Sequence, residues 1–196
     1  MSKSLYLIRH GYSLHNELFQ RMGTNAFRIP EVIDSPLTTL GQTQALDLGK
    51  RWTEKDNIEL VLVSPLTRAL ETAVNVFDNQ TPIICQEFLR EYPIGEDTCN
   101  QRSDTNLLIQ RFPTVNFSDI HLKTDTLWSD KRETIEELEE RIQQMMDYIR
   151  NRPEKKMAIV GHSSYLGQFK DKKIGYIENG DKELKHCFPY EYTLKI

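Results

Sequence analysis

Short apolar runs alternate along this chain with segments whose apolar residues recur every three or four positions. The runs lie at 5–8, 60–63, 83–85 and 157–160, and each has the length and composition of a buried strand. The helical spacing occurs over 38–52, 66–77 and 134–152. Strands that alternate with helices are typical of an α/β protein. We therefore predict a three-layer α/β/α sandwich around a mainly parallel sheet.

The remaining segments are less regular. Residues 11–36 contain several Gly and Pro breakers and are predicted as a loop with one helical turn. Residues 93–130 mix Pro, Gly, Asp and Asn around a predicted helix near 103–111, and such a segment is typical of a lid or binding loop. The alternation in 190–194 predicts an edge strand. We predict a single domain over 1–196 in which 93–130 is an irregular lid or substrate-binding insertion.

Composition narrows the class of protein. The chain has 196 residues, 28% of them charged, and a formal net charge of −4, which argues against a general nucleic-acid binder. Its three cysteines are odd in number and lack paired metal-type spacing, which favours a reducing compartment. No leader-like apolar stretch stands at the start, and no run approaches the ~18 residues of a membrane span. We therefore expect a cytoplasmic protein without membrane or nucleic-acid partners.

Polar clusters follow three of the predicted strands directly. They occupy 9–11 (Arg-His-Gly), 64–68 (Ser-Pro-Leu-Thr-Arg) and 161–163 (Gly-His-Ser). The ends of parallel strands meet at one edge of a sheet, so two Arg and two His side chains should converge there. The guanidinium fork suits phosphate, one imidazole can attack phosphorus, and the other can donate to the phosphoryl oxygens. We also expect Gly11 to let the backbone turn closely around the ligand.

A metal site is the competing interpretation of the same histidines. His10 and His162 could be ligands, but a catalytic zinc needs a third side chain that no motif supplies. Two neighbouring arginines would also repel a dication. We therefore expect neither a metal nor another cofactor.

A set of ordered motifs carries a family resemblance. They are Arg9-His10-Gly11-x-Ser13-x-x-Asn16, Ser35-Pro36-Leu37-Thr38-x-x-Gly41, Ser64-Pro65-Leu66-x-Arg68-Ala69, Leu89-Arg90-Glu91, Arg132-Glu133-Thr134 and Val160-Gly161-His162-Ser163. In this order they resemble the histidine phosphatase superfamily, also called phosphoglycerate mutase-like, from residue 5 to about 167. The segment from Leu89 to Arg102 resembles a small branch of phosphatase-like proteins. Tyr12 departs from the pattern, since many relatives have Glu or Gln there.

The resemblance implies a role for each matching residue. His10 would be the nucleophile that forms a phosphohistidine, and Glu91 would protonate the leaving oxygen and then activate water. The phosphoryl-binding residues would be Arg9, Asn16, Arg68 and His162, with His162 also counted as catalytic. Arg102 and Arg132, in or beside the irregular segment, could contact the rest of the substrate or simply pack and carry surface charge. His15, His121 and His186 fit no motif, so we expect surface or loop roles for them.

Together these observations predict a metal-independent phosphomonoesterase of the histidine acid phosphatase and phosphoglycerate mutase-like class. It would hydrolyse a phosphate ester of a small molecule, with a phosphoprotein left open as the substrate. The first alternative is a phosphoglycerate mutase-type phosphotransferase, in which a second hydroxyl replaces water. The second is a catalytically weak protein that only binds a phosphate ligand.

Overall fold

The computed structural model describes residues 2–78, 80–172 and 184–196, which form a sheet of six strands in the order β4-β3-β2-β5-β1-β6. The strands are β1 (Ser2–Arg9), β2 (Leu60–Val63), β3 (Ile83–Cys85), β4 (Val115–Asn116), β5 (Lys156–Gly161) and β6 (Pro189–Lys195). Neighbours are parallel except β6, which pairs antiparallel with β1 at one edge. The four predicted buried strands and the predicted edge strand are confirmed.

Six α-helices surround this sheet in the described parts of the chain. They are α1 (Leu14–Met22), α2 (Thr39–Arg51), α3 (Thr67–Phe77), α4 (Thr105–Arg111), α5 (Ile135–Asn151) and α6 (Ser163–Asp171). The helices predicted over 38–52, 66–77, 103–111 and 134–152 are confirmed to within two residues at each end. The first turn of α5 has the capping box that its sequence predicts, because Thr134 Oγ1 accepts from Glu137 N at 3.2 Å and Glu137 Oε2 accepts from Thr134 N at 2.8 Å.

The alternation of side chains along the strands divides the core into two layers. On β1, Tyr6 and Ile8 pack with residues of α2, α3 and α4, whereas Leu5 and Leu7 pack with residues of α5 and α6. Burial of each such leucine or isoleucine side chain contributes about 1.5–3 kcal/mol. The predicted three-layer α/β/α sandwich with a mainly parallel sheet is therefore confirmed. Among the described residues, no helix has both the length and the apolar character needed to cross a membrane.

The order of the strands brings the three polar clusters together. β5 lies between β1 and β2, with Arg9 paired to Gly161 and Val63 paired to Val160. The clusters that follow these strands therefore begin side by side at the same sheet edge, as the sequence predicts.

The prediction of a loop with one helical turn over 11–36 is wrong in its first part, because α1 occupies nine of these residues. Its apolar residues Leu14, Leu18 and Met22 recur every four positions, which is a helical spacing, although His15 is the residue of this helix that is buried. Neither α6 nor the lysine-rich stretch that follows residue 167 was predicted as an element. The helix α6 covers the beginning of that stretch, and residues 173–183 lie outside the described residues.

The segment 93–130 is not a lid as a whole. Its middle part contains α4 and β4, and Leu108, Phe112 and Val115 belong to the hydrophobic core beside the sheet. The prediction is therefore wrong for this part, because β4 extends the sheet and α4 packs onto it. The start of the segment has a different position. It lines part of a cavity, through residues 93, 97, 99 and 100.

Candidate active site

A cavity of about 850 Å³ opens at the sheet edge where the polar clusters meet. The predicted site residues that line it are Arg9, His10, Asn16, Glu91 and Arg132. His162 is fully buried directly beside them, and its ring centroid lies 5.2 Å from that of His10. The two histidines predicted to act together are thus neighbours.

His10 has a hydrogen bond that fixes the position of its ring proton. Nδ1 lies 2.7 Å from the carbonyl oxygen of Gly11, which can only accept, so Nδ1 carries the proton and Nε2 keeps its lone pair. Burial, and then the nearby Arg68 guanidinium, lower the pKa of His10 well below its usual value of 6.5. The ring is therefore neutral near pH 7, which is the form in which an imidazole is a nucleophile.

His162 is held through its other ring nitrogen. Nε2 lies 2.7 Å from Ser64 Oγ, and that hydroxyl accepts from the backbone N–H of Leu66 at 3.3 Å. Among the described residues the Ser64 hydroxyl faces no other acceptor, so we assign its proton to the hydrogen bond with Nε2, which puts the ring proton on Nδ1. Nδ1 is buried and has no hydrogen-bond partner among the described residues. Burial and the charge of Arg68 lower the pKa of His162 well below 6.5, so the ring is a neutral donor.

Arg68 lies in the first turn of α3 and is buried. Its two terminal nitrogens donate to the carbonyl oxygen of Cys99 at 2.7 Å and to Asn100 Oδ1 at 2.9 Å. Its Nε is buried without a hydrogen-bond partner among the described residues. The 93–130 segment thus holds the Arg68 side chain in place, while the Nε–H group of the guanidinium remains without an acceptor among the described residues. Arg9, at the end of β1, donates to the carbonyl oxygen of Leu184 at 2.8 Å.

Glu91 stands at the N-terminus of α6. Its Oε1 accepts from the backbone N–H groups of Tyr92 at 2.8 Å and Tyr165 at 3.0 Å, while Oε2 accepts only from Ser164 N at 3.3 Å. Burial raises the pKa of Glu91 and outweighs these hydrogen bonds and the charge of Arg68, which lower it. A carboxyl group with a raised pKa at the cavity wall has the property expected of a general acid.

Asn16 lies in the first turn of α1 and organises the loop after His10. Its Oδ1 accepts from Ser13 N at 3.1 Å and from Ser13 Oγ at 2.7 Å. Its Nδ2 donates to His15 Nε2 at 3.2 Å, which leaves one amide hydrogen for a ligand.

Gly11 stands where two segments of the backbone approach closely. A Cβ atom at this position would lie 2.5 Å from the carbonyl oxygen of Gly41 in α2, and one at Gly41 would lie 2.1 Å from the carbonyl oxygen of Tyr12. The two glycines therefore allow the loop after β1 to pack directly against the start of α2. That Gly11 also lets the backbone turn closely around a ligand stays a prediction.

Sequence reasoning missed two cavity residues, His15 and His186, which were expected in surface or loop roles. His15 is buried, and its Nδ1 lies within 2.9 Å of the hydroxyls of Ser13 and Ser35. His186 reaches the cavity from the segment before β6, where its Nδ1 donates to the carbonyl oxygen of His10 at 2.6 Å. The helix cap around Asn16 could have indicated His15, but nothing in the local sequence indicates His186.

The two arginines suggested as substrate contacts have different positions. Arg132 lines the cavity, donates to Glu96 at 2.9 Å and lies over the ring of Tyr92. The structure does not bring Arg102 to the cavity, since its buried guanidinium donates to Glu87 and to the carbonyl oxygens of Ser103 and Leu122. Arg102 therefore braces the segment from inside, and its suggested role as a substrate contact is wrong on this geometry.

The described residues contain no group of three or more His, Cys, Asp or Glu side chains arranged to hold a metal ion. The residues that converge here are instead two neutral imidazoles with opposite free nitrogens, two arginines and one carboxyl group. Arginine and neutral imidazole N–H groups are donors of the kind that bind anions in proteins.

Comparisons with known proteins agree with this description. The family model described as histidine phosphatase superfamily (branch 1) matches residues 5–170. The chain therefore belongs to that superfamily, whose enzymes act on phosphate esters. Phosphoglycerate mutase-like protein 1 of Arabidopsis thaliana is 34% identical over 84% of this chain and 69% of its own length. A protein of Schizosaccharomyces pombe named Probable phosphatase SPAC513.02 is 30% identical over 83% of this chain and 74% of its own.

A solved structure supports the fold at lower identity. The ecdysone phosphate phosphatase of Bombix mori, in complex with tungstate, superposes with a TM-score of 0.59 at 17% identity. The match covers 98% of this chain and 89% of the other. At this identity the likeness concerns the fold alone.

Proposed function

We propose that this protein is a metal-independent phosphomonoesterase that transfers the phosphoryl group to His10 and then to water. The observation that carries the proposal is the pair of fixed tautomers. His10 has a free Nε2 lone pair, and His162, 5.2 Å away between ring centroids, has a free Nδ1–H. One ring can therefore attack phosphorus while the other donates to an equatorial oxygen of the transition state.

The first step forms a bond between His10 Nε2 and phosphorus and breaks the ester bond. The leaving oxygen takes the proton of Glu91, since an alkoxide leaves poorly without one. Arg9, Arg68, Asn16 and His162 would hold the phosphoryl oxygens throughout. In the second step Glu91 takes a proton from water as that water attacks phosphorus, and the bond to His10 breaks. Atoms and charges then return to the starting state.

The test is phosphate release from 4-nitrophenyl phosphate in the presence of a chelator. We expect His10→Ala to lower kcat/KM by more than about a thousandfold, because the covalent route is removed. His121→Ala is the matched control, since His121 is exposed and outside the cavity. Activity retained in His10→Ala would contradict the mechanism, and loss of wild-type activity with the chelator would contradict metal independence.

A phosphoglycerate mutase-type transferase is the second candidate, and the similarity to a protein named phosphoglycerate mutase-like favours it. The two differ in the group that accepts the phosphoryl from His10. Incubation with 3-phosphoglycerate separates them, because a phosphatase releases inorganic phosphate whereas a mutase produces the 2-phospho isomer. If the protein forms no isomer, releases no phosphate from either 3-phosphoglycerate or 4-nitrophenyl phosphate, and still binds phosphate, it is a phosphate-ligand binder instead.

A further inference from the structure

A ladder of aromatic rings leads along the cavity wall away from His10. Successive ring centroids lie 5.7 Å apart from His10 to His15, 5.8 Å from His15 to Phe27, and 5.2 Å from Phe27 to Phe19. The last two rings are stacked, with their planes only 4° apart. Both phenylalanines are half-buried and line the cavity. The two phenylalanines therefore give the cavity wall an aromatic, apolar part that is linked to His10 through His15.

Tyr92 and Pro93 add apolar surface to the same cavity. Tyr92 directly follows Glu91, the proposed acid, and its backbone N–H donates to Glu91 Oε1 at 2.8 Å. The guanidinium of Arg132 lies 5.5 Å from the centre of this ring and holds it in place. Rings from two separate parts of the chain thus line the same cavity as His10 and Glu91.

The charges around the outer part of the cavity cancel. Arg28 pairs with Glu96 at 2.5 Å and with Asp97 at 3.6 Å, and Arg132 pairs with Glu96 at 2.9 Å. Two cations therefore face two carboxylates. A second anionic group on the substrate would have to displace one of these carboxylates, so the outer cavity offers it little net attraction.

The volume of the cavity also argues against a small anionic substrate. A volume of about 850 Å³ is near the upper end of the range for sites that hold drug-sized ligands, and a three-carbon phosphorylated acid would leave most of it to water. An aromatic leaving group would instead replace that water and stack on the existing rings.

On the basis of the proposed phosphatase function, we propose that the Phe19–Phe27 wall is a subsite for a flat, apolar and uncharged leaving group. The substrate class is then a phosphate monoester of an aromatic or polycyclic alcohol rather than a small phosphorylated acid. Neutral polar groups of such an alcohol could still meet Gln20 and Thr24, which line the same wall.

The test compares kcat/KM for 2-naphthyl, phenyl and 4-carboxyphenyl phosphate, three esters of phenols of similar acidity. We expect 2-naphthyl phosphate to exceed phenyl phosphate by about tenfold, because the second ring gains stacking area, and 4-carboxyphenyl phosphate to be the poorest. Phe27→Ala should reduce the naphthyl-to-phenyl ratio to near one, while Phe27→Tyr, which keeps the ring, should retain it. Phe188→Ala is the matched control, since Phe188 is exposed and outside the cavity.

A binding measurement separates this inference from the proposed function. In the His10→Ala protein, titration with 2-naphthyl phosphate by its fluorescence should give a lower Kd than phenyl phosphate measured by competition. If wild type hydrolyses none of the esters, the proposed function is overturned and this Kd ratio decides the inference alone. The inference is overturned if phenyl or 4-carboxyphenyl phosphate is preferred, or if Phe27→Ala leaves the ratio unchanged.

Discussion

The two carboxyl oxygens of Glu91 differ in a way that matters for its proposed chemistry. Oε1 accepts two backbone hydrogen bonds of 3.0 Å or less, whereas Oε2 accepts a single one of 3.3 Å. A proton is held best on the oxygen with fewer donors facing it, so Oε2 is the atom that would protonate the leaving group.

Glu91→Gln should therefore affect substrates according to how much their leaving group needs a proton. We expect kcat/KM for an alkyl phosphate to fall by about a hundredfold or more, within the range of general acid catalysis. For 4-nitrophenyl phosphate the fall should be less than about tenfold, because 4-nitrophenolate leaves unprotonated. Steady-state kinetics with both esters measure this, with Glu136→Gln as an exposed control. If kcat/KM falls equally for the two esters, Glu91 is not the general acid.

Asn100 is a positioning residue for Arg68. Its Oδ1 accepts from Arg68 at 2.9 Å and its Nδ2 donates to the carbonyl oxygen of Pro93 at 2.9 Å, so the amide joins the guanidinium to the cavity wall. The chain supplies this anchor from a segment that is remote in sequence.

Asn100→Ala should weaken phosphate binding without removing a group that touches phosphate. A hydrogen bond to a charged group is worth about 1.5–3 kcal/mol, so we expect the inhibition constant for inorganic phosphate to rise by about tenfold to a hundredfold. Competitive inhibition against 4-nitrophenyl phosphate measures the change, and Asn106→Ala, on an exposed face of α4, is the control. An unchanged inhibition constant would show that Arg68 needs no such support.

At the scale of elements, the 93–130 segment is held to the core by a buried ion pair. Both terminal nitrogens of Arg90 donate to Asp125, at 2.6 and 2.7 Å, and Asp125 also accepts from the backbone of Arg102 and Trp128. The side chains of the pair are 0% and 2% exposed, so loss of Asp125 leaves the buried Arg90 charge, among the described carboxylates, with only a longer, 3.3 Å contact to Glu87.

Asp125→Ala should consequently destabilise the fold far more than removal of a surface ion pair. We expect the free energy of unfolding to fall by about 3–5 kcal/mol, as measured by urea denaturation. Glu17→Ala, which breaks an exposed pair with Arg21 on α1, should cost less than about 1 kcal/mol. Similar losses in the two variants would mean that Asp125 is not a structural anchor.

The sequence predicted the elements whose apolar residues have a clear period. The helix α5 has such a period, and the strands β1, β2, β3 and β5 are short, continuous apolar runs, which are recognised as easily. The helix α6 is buried from Ser163 to Phe169, on every side, and therefore shows no amphipathic stripe. The strand β4 has only two residues and exists through its pairing with β3. Elements of this kind are determined by tertiary contacts, which local sequence does not contain.

The same limit applies to the site. His10, Arg68 and His162 follow strands that pair side by side, so their convergence could be predicted from the order of elements. His186 reaches His10 across 176 positions of the chain, through a contact with a backbone carbonyl. Arg102 was predicted to contact a ligand because it is charged and lies in the irregular segment. Its guanidinium instead donates to Glu87 and to the carbonyl oxygen of Leu122.

At the scale of the whole molecule, the four imidazoles around the cavity link stability to pH. Burial is the main cause that lowers the pKa values of His10, His15 and His162 well below 6.5, and it lowers that of His186 to about 4. Below about pH 6.5 the unfolded chain therefore binds protons that the folded chain does not. The free energy of unfolding must fall as the pH falls, by up to about 1.4 kcal/mol per pH unit for each imidazole.

We expect urea denaturation to show a loss of several kcal/mol between pH 7.5 and pH 5.5. The raised pKa of Glu91 acts in the opposite direction, but one carboxyl group does not offset four imidazoles. His186→Asn should reduce the slope by about a quarter, since one of the four groups is removed. A free energy of unfolding that stays constant or rises on acidification would contradict the buried, neutral state of these rings.

The most direct test of the account is to find the phosphoryl group on the enzyme during turnover. The protein is mixed with excess 4-nitrophenyl phosphate and quenched in alkali, where phosphohistidine survives, and its peptides are analysed by mass spectrometry. The expected result is phosphorylation of His10 alone, with a larger phosphorylated fraction in Glu91→Gln, because the base for the second step is missing. Phosphate release that continues with no phosphoryl group on His10, or with the group on His162, would contradict the account.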